Sequence, residues 1–230
     1  MKEFTVFEKS IGVTFKDKKI LTIAFTHRSY LNENPNTGLE HNERLEFLGD
    51  AVLELIVTNF LYAKYKDEPE GMLTSYRAAL VNATIIAEIA LSLGMNDFLL
   101  LSKGEAKDTG KARQYILANT FEALLGAIYL DQGYDTAEKF VKTYLLPRVD
   151  EIVSKKLWRA SKSLVQEMAQ EHVGVTPSYK VIQESGPDHD KHFIIGIFFG
   201  DEQIAEGKGK SKQEGEQQAA EAALIKKNWR

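Results

Sequence analysis

The segment HNERLEFLGDAVLEL places Glu43, Glu46 and Asp50 at i, i+3 and i+7. On a helix these carboxylates share one face, beside the apolar stripe of Leu45, Leu48 and Val52. Carboxylates next to a core-facing stripe are costly to desolvate unless a cation pairs with them. A solvated acidic face with Arg44 nearby is one reading of this helix. Gly49 favours another, because glycine costs roughly 1 kcal/mol inside a helix and its presence signals close approach of a second backbone. A second acidic feature lies in YILANTFEALLGAIYL, where Asn119 and Glu122 stand at i, i+3 among apolar residues. Hydrogen bonding within a helical bundle would account for it. Convergence with the Glu46–Asp50 face would instead make an oxygen-rich pocket suited to Mg²⁺, which prefers hard oxygen ligands in octahedral geometry.

The elements that must position these acids are helical. Segment 43–65 carries apolar residues at three-and-four spacing, and Leu73–Leu93 repeats the pattern after a Thr74–Ser75 start signal, with Gly94 as its stop. Tyr115–Leu130 is so apolar that it predicts a helix buried on most sides, and Asp135–Val153 predicts another, punctuated by Pro147. Beyond residue 160 the period changes. Lys162–His172 reads as a helix, Ser178–Glu184, Lys191–Phe199 and Gln203–Gly209 as short strands, and Lys212–Asn228 as an Ala-rich helix. The expected organisation is an all-α domain over 1–150, a linker over 151–160 and a small α+β unit of order α-β-β-β-α over 161–230.

Composition excludes several classes of chemistry. With no cysteine, a disulfide scaffold, a thiolate zinc site, an iron–sulfur cluster and a cysteine nucleophile are ruled out. The longest apolar run, Phe193–Phe199, is seven residues, against the roughly 20 a spanning helix needs. The MKEFTVFEKS start has no uninterrupted signal-peptide core, so no membrane association and a cytoplasmic location are expected. The net charge of −4 arises in the first part of the chain, while the second part is nearly neutral. A nucleic-acid partner would therefore require local clusters of basic residues, or acids that hold metal.

NERLEFLGDAVL, at residues 42–53, resembles the signature of the ribonuclease III family. GMLTSYRAALVN and ILANTFEALLGAIYLDQG resemble that family's next two blocks, and the C-terminal part resembles a double-stranded-RNA-binding domain. Carried over by position, the resemblance implies that Glu46, Asp50, Asn119 and Glu122 occupy metal-ligand places, with Glu46, Asp50 and Glu122 catalytic and Glu43 and Glu70 as further acids near the cleavage site. It implies Mg²⁺, with Mn²⁺ as a substitute, and a homodimer in which Phe47 plugs the partner subunit. It also implies cleavage of double-stranded RNA to 5′-phosphate ends and short 3′ overhangs, with ribosomal RNA precursors as usual substrates. A two-metal phosphodiester hydrolysis needs no covalent intermediate.

The family has aspartate where this chain has Asn119. An amide offers a carbonyl oxygen to a metal but no negative charge. Such an amide is either a natural variation or an isosteric change that disables the site while keeping its shape. In the C-terminal unit the resemblance assigns minor-groove contacts to Gln166 and Glu167 on the first helix and to His189 in the Gly186–His189 loop. It assigns a phosphate grip to Lys210, Ser211 and Lys212. Gln213 and Gly215 depart from the usual lysine and alanine there, and Gly215 is expected to weaken the last helix. Lacking other ligands, His189 and His192 do not read as a metal pair. The competing functions are a non-cleaving duplex-binding dimer, favoured by Asn119, and a phosphohydrolase of small nucleotides, which would not need a duplex-binding domain.

Overall fold

The computed structural model describes residues 3–187 and 191–229, and the chain divides into two compact units, Met1–Val153 and Ser154–Arg230. The first unit is helical: α1 (Thr5–Ile11), α2 (Lys18–Ala24), α3 (Arg28–Glu33), α4 (Glu43–Lys64), α5 (Glu70–Leu80), α6 (Ala83–Ser92), α7 (Lys111–Gln132), α8 (Tyr134–Tyr144) and α9 (Val149–Ser154). The 22-residue helices α4 and α7 form its broadest helix–helix interface. Leu53, Ile56 and Val57 of α4 and Leu117, Phe121, Leu124 and Leu125 of α7 are sealed from solvent between these two and their neighbours. As the sequence predicts, α7 is buried on most sides and has no single apolar stripe.

Two glycines decide how closely this pair approaches. A Cβ on Gly49 would overlap the carbonyl oxygen of Glu122 and come within 2.9 Å of the Gly126 nitrogen, and one on Gly126 would overlap the Leu45 carbonyl oxygen. The close backbone approach expected from Gly49 is therefore real, and its partner is the α7 turn that carries Glu122.

The start of α4 is held from outside the helix. Asn42 is buried, and its side chain donates to the Ala24 carbonyl at 3.1 Å instead of capping the helix, while its backbone N–H donates to Thr26 at 3.0 Å. Thr26 in turn forms an isolated parallel bridge with Leu100, and the His27 N–H donates to the Leu100 carbonyl at 3.0 Å. Around the opposite end of α7, Asp131 accepts from the Lys16 and Asp17 backbone N–H groups, both at 2.9 Å. Buried Glu8 accepts from the Phe15 N–H at 2.7 Å and from Lys18 Nζ at 2.5 Å.

The single helix expected over Leu73–Leu93 is two helices. Asn82, extended at φ −90° and ψ 155°, accepts from the Thr84 and Ile85 N–H groups and so starts α6 with a new cap. Thr74 and Ser75 lie inside α5, which begins after Pro69. The expected Asp135–Val153 helix also divides at Pro147, where a 3₁₀ turn over Leu146–Arg148 separates α8 from α9.

The second unit runs α10 (Ser161–Val173), β1 (Ser178–Ser185), β2 (His192–Phe199), β3 (Glu202–Gly209) and α11 (Lys212–Lys226). The strands form one antiparallel sheet of order β1-β2-β3. Leu164 and Val165 of α10, Ile197, Phe199 and Ile204 of the sheet, and Ala220 and Leu224 of α11 make its core. Gly215 does more than weaken α11: it is buried, and a Cβ there would come within 2.5 Å of the Ile195 side chain. Its intrinsic cost accompanies a close seat of the helix on the sheet.

Gly49→Ala is expected to lower stability by about 3 kcal/mol, since backbone rather than a flexible side chain blocks the added methyl. Gly71→Ala, in the first turn of α5 with open space around its Cβ, should instead raise it by up to about 1 kcal/mol. Urea midpoints of the two variants test the contrast.

Candidate active site and nucleic-acid interface

Glu46, Asp50 and Glu54 follow one another along α4, and Glu122 faces them from α7 across the Gly49 contact. Glu122 is half-buried; burial first, then the charges of Asp50, Glu46 and Glu54, push its carboxyl up to about 7. Burial also raises Glu46, as do Glu43 and Asp50, and a hydrogen bond from the Asn119 amide partly offsets this. Among the described residues, no cationic side chain contributes to either balance. The structure thus gathers Glu46, Asp50, Asn119 and Glu122 into one electrostatic unit. Their side chains are not drawn to a point: among the described residues, no three His, Asp or Glu groups form a ready metal cage. The donor set fits a divalent cation, because it consists of hard oxygens whose mutual repulsion nothing nearby neutralises.

Of the other predicted acids, Glu43 adjoins this unit through Glu46, whereas Glu70 lies apart from it. Glu43 is engaged by Arg28 at 3.4 Å and His41 at 3.7 Å. Glu70, in the first turn of α5, accepts from Thr74 Oγ1 at 3.0 Å and borders a groove of about 420 Å³ with Tyr62, Glu68 and Arg77. Tyr62 is 12 positions along α4 from Asp50, about 18 Å at the rise of an α-helix. Phe47 is 81% exposed and borders a groove with Ile20, Ile23, Leu48 and Leu130. Leu55 and Tyr62 continue the same exposed stripe down α4, 53% and 72% exposed.

In the second unit Gln166 and Glu167 are both exposed on α10, but Glu167 is held by Arg159, which keeps its carboxyl below the usual range. His189 lies outside the described residues. Lys208, Lys210 and Lys212 are exposed at the β3–α11 junction, and Lys212 Nζ sits 5.9 Å from the centre of the Phe193 ring. Ser211 does not present a bare helix end. Its hydroxyl accepts from the Glu214 N–H at 3.1 Å, while the Glu214 carboxylate reaches back past the cap to accept from the Lys210 N–H at 2.8 Å.

Three contributors escape a reading centred on motifs. Glu54 is one helical turn beyond Asp50 and is tethered by Arg77 at 2.8 Å; its i+4 spacing was the available signal. Glu214 is marked by the Ser-x-x-Glu pattern. Glu105 belongs to a 3₁₀ turn brought to the site only by tertiary contacts, and no local pattern marks it.

An all-α unit that pairs acids across two crossing helices, joined to an α-β-β-β-α unit with lysines at its last helix, has the make-up of a nuclease domain with a duplex-RNA-binding module. Comparison with known proteins agrees. A family model described as Ribonuclease-III-like matches residues 17–149, and one described as double-stranded RNA binding motif matches 161–227. The chain is 42% identical over 224 residues to Ribonuclease 3 of Pelotomaculum thermopropionicum, covering 97% of this chain and 93% of that one. It is 44% identical over 223 residues to Ribonuclease 3 of Bacillus cereus, covering 97% and 91%. A solved nuclease domain of Campylobacter jejuni ribonuclease III, described for structural flexibility in a region involved in dimer formation, superimposes with a TM-score of 0.57 at 40% identity. That match covers 63% of this chain and 99% of the other. The chain belongs to the ribonuclease III family of endoribonucleases. Its double-stranded-RNA-binding domain accounts for the substrate class. Among the described residues, no helix is long and apolar enough to cross a membrane.

The raised Glu122 carboxyl has a consequence for stability. The folded state keeps a proton that the unfolded state releases between pH 4.5 and about 7. Its stabilising contribution is full below pH 4.5 and lost as pH rises through about 7. In metal-free buffer, the Tm of Glu122→Gln minus that of the native chain should grow across this window and level off above it. A constant difference would contradict the assignment.

Proposed function

We propose that this endoribonuclease cuts double-stranded RNA by Mg²⁺-dependent two-metal phosphodiester hydrolysis, with Mn²⁺ able to substitute. The products would carry 5′-phosphates and short 3′ overhangs, and the substrates would be ribosomal RNA precursors and other structured RNAs in the cytoplasm. The observation that supports this reading is the convergence of Glu46, Asp50 and Glu122 without a compensating cation. These carboxylates, with the Asn119 carbonyl oxygen, are the groups that would hold the cations. Bound there, Mg²⁺ supplies positive charge that activates an attacking water and offsets the negative charge building on the leaving 3′ oxygen.

The protein's own part follows from its carboxyls. Glu122 must lose its proton to become a ligand, so cation binding at neutral pH releases a proton and strengthens as pH rises toward about 7. The Asn119 amide favours the ionised Glu46 carboxylate, yet supplies no negative charge. Loss of even an outer partner of a metal ligand typically costs 10–100-fold, and a missing ligand charge should cost at least as much.

The exposed stripe of Phe47, Leu55 and Tyr62 supports a homodimer, with Phe47 seated in the partner and Glu43 and Glu70 lining the joint cleavage site. In the duplex-binding domain Gln166, Glu167, His189, Lys210, Ser211 and Lys212 would contact RNA, Glu167 after release from Arg159. Domains over 1–150 and 161–230 with a flexible linker over 151–160 would let the second domain swing onto the duplex. A specific observation favours a second reading, the non-cleaving duplex-binding dimer: the amide at Asn119.

Cleavage of a long RNA duplex in Mg²⁺ by the native chain and by Asn119→Asp tests these readings. The native chain is expected to cut, and Asn119→Asp to cut at least about tenfold faster at limiting Mg²⁺. Binding by both without cleavage by either would establish the second reading. Separately, Glu214→Ala removes a carboxylate from the lysine-bearing end of α11, where it accepts from the Lys210 N–H. Duplex affinity should rise several-fold at low salt in a filter-binding assay, the gain shrinking as salt screens the charge.

A further inference from the structure

Beside the acidic unit lies a pocket of about 290 Å³ whose lining includes His27, Glu43, Glu46, Glu105, Tyr115 and Asn119. His27 has a structural role that accounts for one of its ring nitrogens. As the N-cap of α3, its Nδ1 accepts from the Ser29 N–H at 3.3 Å and lies 2.8 Å from Ser29 Oγ. That hydroxyl oxygen accepts from the Ser102 N–H at 3.1 Å, which directs its own proton to Nδ1. Nδ1 is therefore an acceptor, and the proton of the neutral ring sits on Nε2. Burial lowers the ring's pKa against the opposing pull of Glu105, in keeping with a neutral imidazole. Among the described residues Nε2 has no hydrogen-bond partner.

The far wall of the pocket is equally fixed. The Glu105 N–H donates to Ser102 Oγ at 3.2 Å, and Arg113 donates to the Glu105 carbonyl at 2.6 Å. The residue thus stands on a pinned turn tied through Ser102 and Ser29 to the cap of α3. Glu43, Glu46 and Glu105 line the pocket with hydrogen-bond acceptors. A hydroxyl suits it, since it accepts from a neutral N–H and donates to a carboxylate at once. The exposed ring of Tyr115 offers an apolar edge against which a sugar can lie.

We propose that this pocket binds a ribose 2′-hydroxyl of a nucleotide flanking the cut, with His27 Nε2–H as donor and a pocket carboxylate as acceptor. The inference rests on the duplex-cleaving reading above. It makes His27 a residue that distinguishes RNA from DNA at the nuclease domain, in addition to its role as a helix cap.

Two variants separate the roles. His27→Asn keeps a capping acceptor but loses the distant donor, whereas His27→Gln carries an amide donor near the Nε2 position and loses the cap. Single-turnover cleavage would be measured for the native chain and both variants on an all-ribose duplex and on a series with one 2′-deoxy nucleotide moved through the positions flanking the cut. At one position the deoxy substitution should slow the native chain about tenfold, the scale of one lost hydrogen bond. His27→Asn should be slowed about as much on the all-ribose duplex, no further by that deoxy substitution, and should keep its Tm. His27→Gln should cut within about threefold of the native rate with a lowered Tm. Native-rate cleavage by His27→Asn, losses that multiply at every position, or a native chain indifferent to every deoxy substitution would each overturn this inference alone. A native chain that leaves the all-ribose duplex uncut would overturn the proposed function and this inference with it.

Discussion

The crossing of α4 and α7 at Gly49 and Gly126 is the constraint on which the rest of the nuclease domain depends. Two backbones in direct contact leave no room for a Cβ on either side, and the same turns carry Asp50 and Glu122. Close approach therefore does two things at once. It seals the core of the domain, and it brings the partly buried Glu46 and Glu122, from different helices, beside the exposed Asp50. The energy of apolar burial along the two 22-residue helices offsets the repulsion. Carboxylates that repel one another are held together by packing that has nothing to do with charge.

The surroundings of that crossing keep it in register. Asn42, Thr26, His27 and Leu100 tie the start of α4 to two loops distant in sequence, so the acids near that end are not on a fraying terminus. The same ties deliver Glu105 and His27 to the edge of the acidic region. At the other end of the molecule's chemistry, the α11 terminus is already satisfied by Ser211 and Glu214. Exposed Lys208, Lys210 and Lys212, rather than open backbone amides, are what this end of the domain presents to solvent. This agrees with a domain that is nearly neutral as a whole and basic only locally.

Much of this was legible in the residues themselves. The acids of α4 lie on one face because helical periodicity allows nothing else, and Gly49 announced a backbone neighbour because a helix interior gains nothing from glycine. The change of period after residue 160 located all three strands within about two residues, since alternation and turn residues act locally. The Leu73–Leu93 segment was misread as continuous because its apolar spacing runs on through Asn82. Only the extended backbone at that residue shows it to be a cap rather than an interior position. Gly215 was read as a defect because its benefit, a close seat against Ile195, is a contact 20 positions away.

The amino-acid sequence by itself determined the helical and strand periods, the family signature, the absence of thiol chemistry and the amide at Asn119. These are properties of residue type and short-range spacing. Only the tertiary structure decided which acids share a field. It coupled Glu54 to Glu122, joined Glu43 to Arg28 and Glu167 to Arg159, and walled a pocket with His27 and Glu105. The physical reason is that desolvation and Coulomb interaction depend on distance through space, which the chain settles only when its helices have packed.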